Sequence, residues 1–294
     1  MSRMEYIAPL WSLTELHELI DRALAEDLLG GDVTSRAVIP QGTQAVAVGV
    51  AKKPVVVCGL SVLPYVFHRV DPTLEIKTFV HEGDAAQPKD ILFRVSGLVH
   101  SILAAERVTL NILQHMSGIA TLARQYADAV KGTKVRVVDT RKTLPGLRAF
   151  QRYAVQVGGC YNHRHHLGSG VLIKENHIRA AGGITQAIKR AHDHAAHTLR
   201  VEIEVTSMSE LKEAIEAGAE LVMVDNMTPE QVKEAVTWVN GRALVEASGG
   251  ITLETVRGYA EAGVDIISVG ALTHSVKAAD ISLLVDIEPE EGVS

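Results

Sequence analysis

Acids, bases and glycines recur at one kind of position in the second half of this chain, the end of a short apolar run. Asp139-Thr140-Arg141-Lys142 end the first such run, and Lys174-Glu175-Asn176-His177 end the next. Glu202 and Glu204 follow, then Asp225-Asn226, then Glu246 with Ser248-Gly249-Gly250, and last Ser268 and Gly270. Between Asp139 and His177, Arg141, Lys142, Arg148, Arg152, Arg164 and Lys174 face only Asp139 and Glu175. This stretch is therefore +4 in a chain of net charge −6, which leaves −10 for the rest. A short basic island in an acidic chain suits a small, multiply charged anion. A nucleic acid needs a long stripe of phosphate contacts. Arg holds carboxylates and phosphates bidentately, whereas Lys acts as a point charge.

The glycines of ASGGIT (247–252) and VGALTHS (269–275) allow backbone N–H groups to approach a phosphate, with the next helix N-terminus favouring the anion. Neither loop contains GxxxxGK[ST] or GxGxxG, so a phosphosugar is expected rather than a nucleoside triphosphate or a dinucleotide. Glu204 and Asp225 beside such anions would be repelled unless they hold a metal, bind hydroxyls or face developing positive charge. All three needs arise when pyrophosphate leaves a ribose carbon. Mg²⁺ bridges pyrophosphate as a hard cation does, and the sugar passes through an oxocarbenium-like state.

Strand, turn and helix alternate after Gly132 and would position these residues. Expected strands are 135–140, 170–177, 199–205, 220–227, 243–250 and 264–271. Ser207 and Thr228-Pro229-Glu230-Gln231 mark helix starts, and Gly218 a helix end. Strand starts from 199 onward fall 21 to 23 residues apart, the period of a (β/α) barrel, whose active face lies at the strand C-termini. Six strands predict an incomplete barrel, with an open doubly wound sheet as the alternative. Glu202 and Glu204 share a face by parity, so either could point to the barrel axis. The first hundred residues read as mixed α and β: a helix over about 13–25, then β-rich runs QAVAVGVA, PVVVCG, LEIKTFV and DILFRVSG. A helical pattern from His100 to Val130 is expected to break near Ser117-Gly118. The expected domains are 1–115, with the tail from about 276 to 294 packed on it, and 116–275.

Composition sets the outer limits. The chain has 294 residues, 47% hydrophobic and 22% charged, which excludes disordered and fibrous classes. Two cysteines, Cys58 and Cys160, make neither a disulfide framework nor a paired metal motif. The N-terminal residues lack an apolar stretch of signal-peptide type, and the longest apolar run, Pro54 to Phe67, is too short for a bilayer. A cytoplasmic protein without membrane or nucleic-acid partners is expected.

Motifs in order along the chain carry a resemblance. TRKTLPGLR (140–148), GGCYNHR (158–164), LIKENHI (172–178), VEIEV (201–205), VDNM (224–227) and EASGGI (246–251) closely resemble the quinolinate phosphoribosyltransferase family, the carboxylating nicotinate-nucleotide pyrophosphorylases. EDLLGGDVTS (26–35) and AAERVTLNILQHMSGIAT (104–121) extend it over nearly the whole chain. The resemblance implies an open-faced α/β sandwich plus an incomplete (β/α) barrel, assembled as a homodimer or higher homo-oligomer with shared active sites. The implied reaction joins quinolinate and phosphoribosyl pyrophosphate, with Mg²⁺, to give nicotinate mononucleotide, pyrophosphate and CO2 for NAD synthesis. It further implies that Arg141, His163, Arg164 and Lys174 hold the two quinolinate carboxylates, with Arg107 from the neighbouring subunit. Lys142 would face pyrophosphate, with Lys142, Lys174, Glu204 and Asp225 forming the catalytic set. Glu204 and Asp225 would serve the ribose hydroxyls and the metal, mostly through Mg-bound substrate. Ser248, Gly249, Gly250 and Gly270 would cradle the 5′-phosphate.

The chain departs from the family pattern at Leu144, Glu175, His165-His166 and Leu29. Two other functions remain open at this level. One is a phosphoribosyltransferase-like paralogue of the molybdenum-transport-associated type. The other is a Schiff-base barrel lyase using Lys174. His192, His194 and His197 have the wrong spacing for two metal ligands on one helix face and read as solvent-exposed.

Overall fold

The computed structural model describes residues 7–287. Its first half contains α1 (Leu13–Asp27), α2 (Val33–Val38), β1 (Gln44–Ala51), β2 (Val55–Val56), α3 (Leu63–Val70), β3 (Glu75–Thr78), β4 (Ala85–Ala86), β5 (Ile91–Leu98) and α4 (Val99–Ala129). The second contains β6 (Arg136–Val138), α5 (Arg148–Val157), β7 (Val171–Ile173), α6 (Glu175–Ala181), α7 (Ile184–His194), β8 (Val201–Val205), α8 (Met208–Glu216) and β9 (Leu221–Asp225). It closes with α9 (Pro229–Val239), β10 (Leu244–Ser248), α10 (Val256–Glu261), β11 (Ile266–Ser268), α11 (Ala271–His274) and β12 (Ile281–Ile287). Two compact units result. One takes the chain up to Ala123, Leu144–Gly158 and the chain from Val276 on; the other takes Arg124–Thr143 and Gly159–Ser275.

The first unit is built on an antiparallel sheet of order β12-β1-β5-β3. Alternating burial along β1 shows the two-residue period of a sheet with one covered face. The tail joins this sheet, with Ala45 opposite Ile287 and Ala51 opposite Ile281. PVVVCG yields only the two-residue β2, paired with β4. α1 begins with a capping box in which Ser12 and Glu15 satisfy each other's backbone N–H groups. The expected break at Ser117-Gly118 is absent, and α4 runs unbroken through 31 residues. Ser117 and Gly118 are contact residues instead. Ser117 Oγ accepts from the Cys58 amide at 3.0 Å, and a Cβ on Gly118 would stand 2.3 Å from the Lys277 carbonyl oxygen. The expected 115/116 boundary lies inside this helix.

The second unit contains the parallel sheet, of order β6-β11-β10-β9-β8-β7. Strands from β7 to β11 lie side by side in sequence order, and the first strand pairs with the last. This is the winding of a barrel, in one direction throughout, and it excludes the doubly wound alternative. Among the described residues β6 and β7 do not pair, so the barrel stays open at that seam. Tyr161 lies along the β6 edge as a parallel bridge to Val138. Helix caps fall where the sequence places them: Ser207 accepts from the Glu210 amide, and Thr228 and Gln231 form a capping box with Pro229 in the first turn. Among the described residues, no helix is long and apolar enough to cross a membrane.

Gly118→Ala tests the helix crossing. The added methyl meets backbone rather than a flexible side-chain end, so it should destabilise the protein by about 1–3 kcal/mol, as overpacking does. Denaturant unfolding monitored by circular dichroism measures the loss, and a neutral result would show that the tail does not pack at this point.

Candidate active site at the strand C-termini

Parallel register places the chemically active residues on one face of the sheet. Glu204 is level with Met223, and Met223 with Glu246. Asp225 is level with Ser248, and Ser268 with Val138. Side chains two apart on a strand share a face, so Glu202, Glu204, Met223, Asp225, Glu246, Ser248 and Ser268 all belong to the inner one. Of these, Met223, Glu246, Ser248 and Ser268 line a cavity of about 320 Å³ together with Thr140, Arg141, Lys142, His163, Arg164, Leu172 and Lys174. This is the active face of a barrel.

Cations dominate its rim. Arg141 and Lys142 follow β6, where the Lys142 amide donates to Thr140 Oγ1 at 3.1 Å. The Lys142 carbonyl accepts from Thr273 Oγ1 at 2.8 Å. Arg164 is tied by NH1 to the Gly170 carbonyl at 2.9 Å. Burial, and then the nearby Arg141 charge, hold its guanidinium below the usual arginine range. The His165-His166 departure has a local role: His166 Nδ1 accepts the Gly168 amide at 3.1 Å, and His166 N donates to Ser169 Oγ at 3.0 Å. This shapes the turn that carries Gly170. Lys174 follows β7 as the residue before α6, and its Nζ is ion-paired with Glu204.

The acids divide into two levels. Glu204 and Asp225 stand at the rim on neighbouring strands. Burial, with the Glu204 charge next, raises the Asp225 carboxyl above its ordinary range, against Lys174 and Lys142. Two mutually repelling, partly open carboxylates form the oxygen set a hard divalent cation takes. Deeper in the unit, Glu202 and Glu246 flank His163, whose Nε2 is 3.4 Å from an oxygen of each. Burial opposes charge on His163, but hydrogen bonding and Coulomb attraction from the two acids outweigh it and push His163 up to about 10. Burial raises Glu202, against the pull of His163. Fully buried Asp139 accepts from Asn162 Nδ2 at 2.6 Å and from the His163 amide at 2.9 Å.

The two glycine loops differ. Gly249 has φ of +94°, and a Cβ there would lie 2.3 Å from Asn226 Oδ1, so only glycine fits. Gly250 opens to free space with φ of +60°. The helix after this loop, α10, starts only at Val256, so no helix end lies directly behind Gly250. Gly270 directly precedes α11. Lys142 and His274 pack closely where a Gly270 side chain would stand.

Arg141, Lys142, His163, Arg164, Lys174 and Ser248 thus line one cavity, with Glu204 and Asp225 on the same rim. Arg107 lies exposed on α4 in the first unit and is not in this set. His192 and His194 bond to backbone carbonyls of Gly218 and Arg190. The residues that sequence reasoning left without a role are Asp139, Glu202 and Glu246. Their signal was parity: Glu202 and Glu246 inside β8 and β10, and Asp139 directly after β6, each precede a rim residue two positions on.

Comparison with known proteins converges on one family. Residues 32–117 match the quinolinate phosphoribosyl transferase N-terminal domain, and residues 119–284 match its C-terminal domain. A probable nicotinate-nucleotide pyrophosphorylase [carboxylating] of Bacillus subtilis is 37% identical over 276 residues, 94% of this chain and 95% of the relative. A chloroplastic enzyme of the same name from Arabidopsis thaliana is 42% identical over 293 residues, 93% of this chain and 84% of its own. The solved nicotinate-nucleotide pyrophosphorylase from Francisella tularensis superposes with a TM-score of 0.90 at 36% identity, covering 96% of this chain and 100% of that one. With both domains matched in order, and the cavity built from the motifs that carry the likeness, the chain belongs to the quinolinate phosphoribosyltransferase family.

Proposed function

We propose that this chain is a carboxylating nicotinate-nucleotide pyrophosphorylase. It transfers the phosphoribosyl group of phosphoribosyl pyrophosphate to quinolinate with loss of CO2, giving nicotinate mononucleotide and pyrophosphate in de novo NAD biosynthesis. The observation that carries the reading is the cavity, where Arg141, Lys142, Arg164 and Lys174 converge at the strand C-termini. Both substrates are polyanions, and quinolinate brings two carboxylates. Arg141, Arg164 and Lys174 hold the dicarboxylate, with His163 in the cavity wall beside Arg164 and its ring nitrogens turned to the Arg164 amide and to Glu202 and Glu246. Lys142 faces pyrophosphate, and Ser248, Gly249, Gly250 and Gly270 receive the 5′-phosphate.

The pyridine nitrogen attacks the ribose carbon as pyrophosphate leaves, and positive charge develops on the sugar. Glu204 and Asp225 lie on the face that would meet this charge, and placed carboxylates lower the energy of such a state. Quaternising the nitrogen stabilises the electron pair left on the ring when the neighbouring carboxylate departs as CO2; a proton then takes its place. Glu204 and Asp225 would hold Mg²⁺ together with substrate, and the ion when bound would supply positive charge to offset that of the leaving pyrophosphate. The reading places the enzyme in the cytoplasm, where cysteines outside any disulfide are usual, as Cys58 and Cys160 are. It also makes the enzyme a homodimer or higher homo-oligomer in which Arg107 completes the quinolinate pocket of the neighbouring subunit.

Arg164→Ala should weaken quinolinate at least tenfold and phosphoribosyl pyrophosphate little, since one charge-assisted hydrogen bond is worth roughly 1.5–3 kcal/mol. Steady-state KM values for both substrates decide it, and equal losses would reject the assignment. Asp225→Asn should lower kcat more than it raises KM, because its interaction strengthens as the sugar becomes cationic. A pure KM effect would reduce this acid to binding. Arg107→Ala and Lys142→Ala should each be nearly inactive alone, yet random subunit exchange should restore about a quarter of the sites, since half of the mixed dimers' sites carry neither change. No recovery after verified exchange would remove Arg107 from the partner's pocket.

A further inference from the structure

Glu246, which lines the cavity, and the neighbouring buried Glu202 have no part in the reaction as described. The Glu246 side chain is 0% exposed and that of Glu202 8%. An acid at this depth must be paired or neutralised. Among the described residues, His163 is set against both of them and the Arg164 charge acts on Glu202 as well, yet Glu202 Oε1 and both Glu246 oxygens have no hydrogen-bond partner of good geometry. Its Nε2 lies 3.4 Å from each acid.

The other side of the ring identifies what occupies this space. Nδ1 accepts the Arg164 amide at 2.7 Å. A nitrogen that accepts carries no proton, so the ring's first proton lies on Nε2, between the acids. This argues against a metal ion, although His163, Glu202 and Glu246 bring ligand-type atoms within 4.8 Å of one another, because Nε2 then has no lone pair to give. The acids attract a second ring proton, and the Arg164 amide competes with it at Nδ1. In either state Nε2–H stays between Glu202 and Glu246.

The ring is the last fixed point before Arg164. Tyr161 bridges to Val138, and Asp139 holds Asn162 Nδ2 and the His163 amide. Groups facing His163 are therefore Glu202 from β8, Glu246 from β10, Asp139 after β6, and Arg164 next in the chain, itself near Arg141. We propose that Glu202 and Glu246 are positioning residues that grip His163 and thereby set the 161–164 segment that presents Arg164 to the quinolinate carboxylates. The brace rests on the quinolinate reading for its purpose, but not for its existence.

Glu246→Gln keeps the side-chain shape and removes its charge; Glu202→Gln is the second variant should the first fail to fold. Histidine NMR on the ligand-free protein, with His163→Gln for assignment, reads the brace without any substrate. His163 should titrate well above the ordinary histidine range and fall by about one pH unit or more in either Gln variant. The KM for quinolinate should rise at least about tenfold, with that for phosphoribosyl pyrophosphate within about twofold. Glu246→Asp, which keeps the charge, should recover part of the loss. An unchanged His163 titration, or equal rises in both KM values, would overturn the proposal. So would one equivalent of tightly held Zn²⁺ or Mn²⁺ in the wild-type protein that the Gln variants lose. If the wild-type protein fails to turn over quinolinate, the functional reading fails, while the NMR result still decides the brace.

Discussion

Four cationic side chains held around one small cavity repel one another, and no fold tolerates that without nearby negative charge. Arg164 shows the strain directly, since burial and then the nearby Arg141 charge make its own charge harder to keep. Carboxylates on the inner face of the barrel offset it. Glu204 pairs with Lys174 at the rim, and Glu202 and Glu246 lie below with His163 between them. The cavity is therefore positive where a polyanion would enter and negative underneath. A dicarboxylate arriving at the rim meets cations that the protein has already made room for.

This arrangement costs the barrel part of its apolar filling. Barrel interiors are usually packed with Val, Ile and Leu in layers. Here Leu172 and Met223 share the inner face with Glu202 and Glu246, and full burial of an acid is tolerated only with a partner. The open seam makes the partner available. Because β6 and β7 do not close, the segment from Tyr161 to Arg164 can run along the β6 edge, where Asp139 fixes its backbone and His163 reaches the two acids. The missing strand pairing and the buried acids are thus parts of one solution.

Glycine completes the rim in the same economical way. Gly249 is forced by the close approach of Asn226, whose own φ is +57°. At Gly270 the absent side chain leaves the space that Lys142 and His274 occupy. Both positions serve packing between loops as well as access for a ligand.

Much of this was legible in the sequence. Apolar runs at a period of 21 to 23 residues marked the strands, because a buried parallel strand must be apolar on both faces. Polar residues at their ends marked the rim, because only there does a barrel strand leave the core. The motifs from TRKTLPGLR to EASGGI identified the family. Sequence failed at Ser117-Gly118, where glycine reads as a helix break but in fact admits the Lys277 carbonyl, a neighbour about 160 residues away. It also left Glu202 and Glu246 without a role. Parity showed that Glu202 shares a face with Glu204, but depth along the barrel axis and the nearness of His163 depend on β8, β10 and the loop after α5 meeting in space. Local sequence determines which residues a strand turns inward. Only the closure of several strands on one another decides which inward charges touch, because Coulomb and hydrogen-bond partners are set by distances across the barrel rather than along the chain.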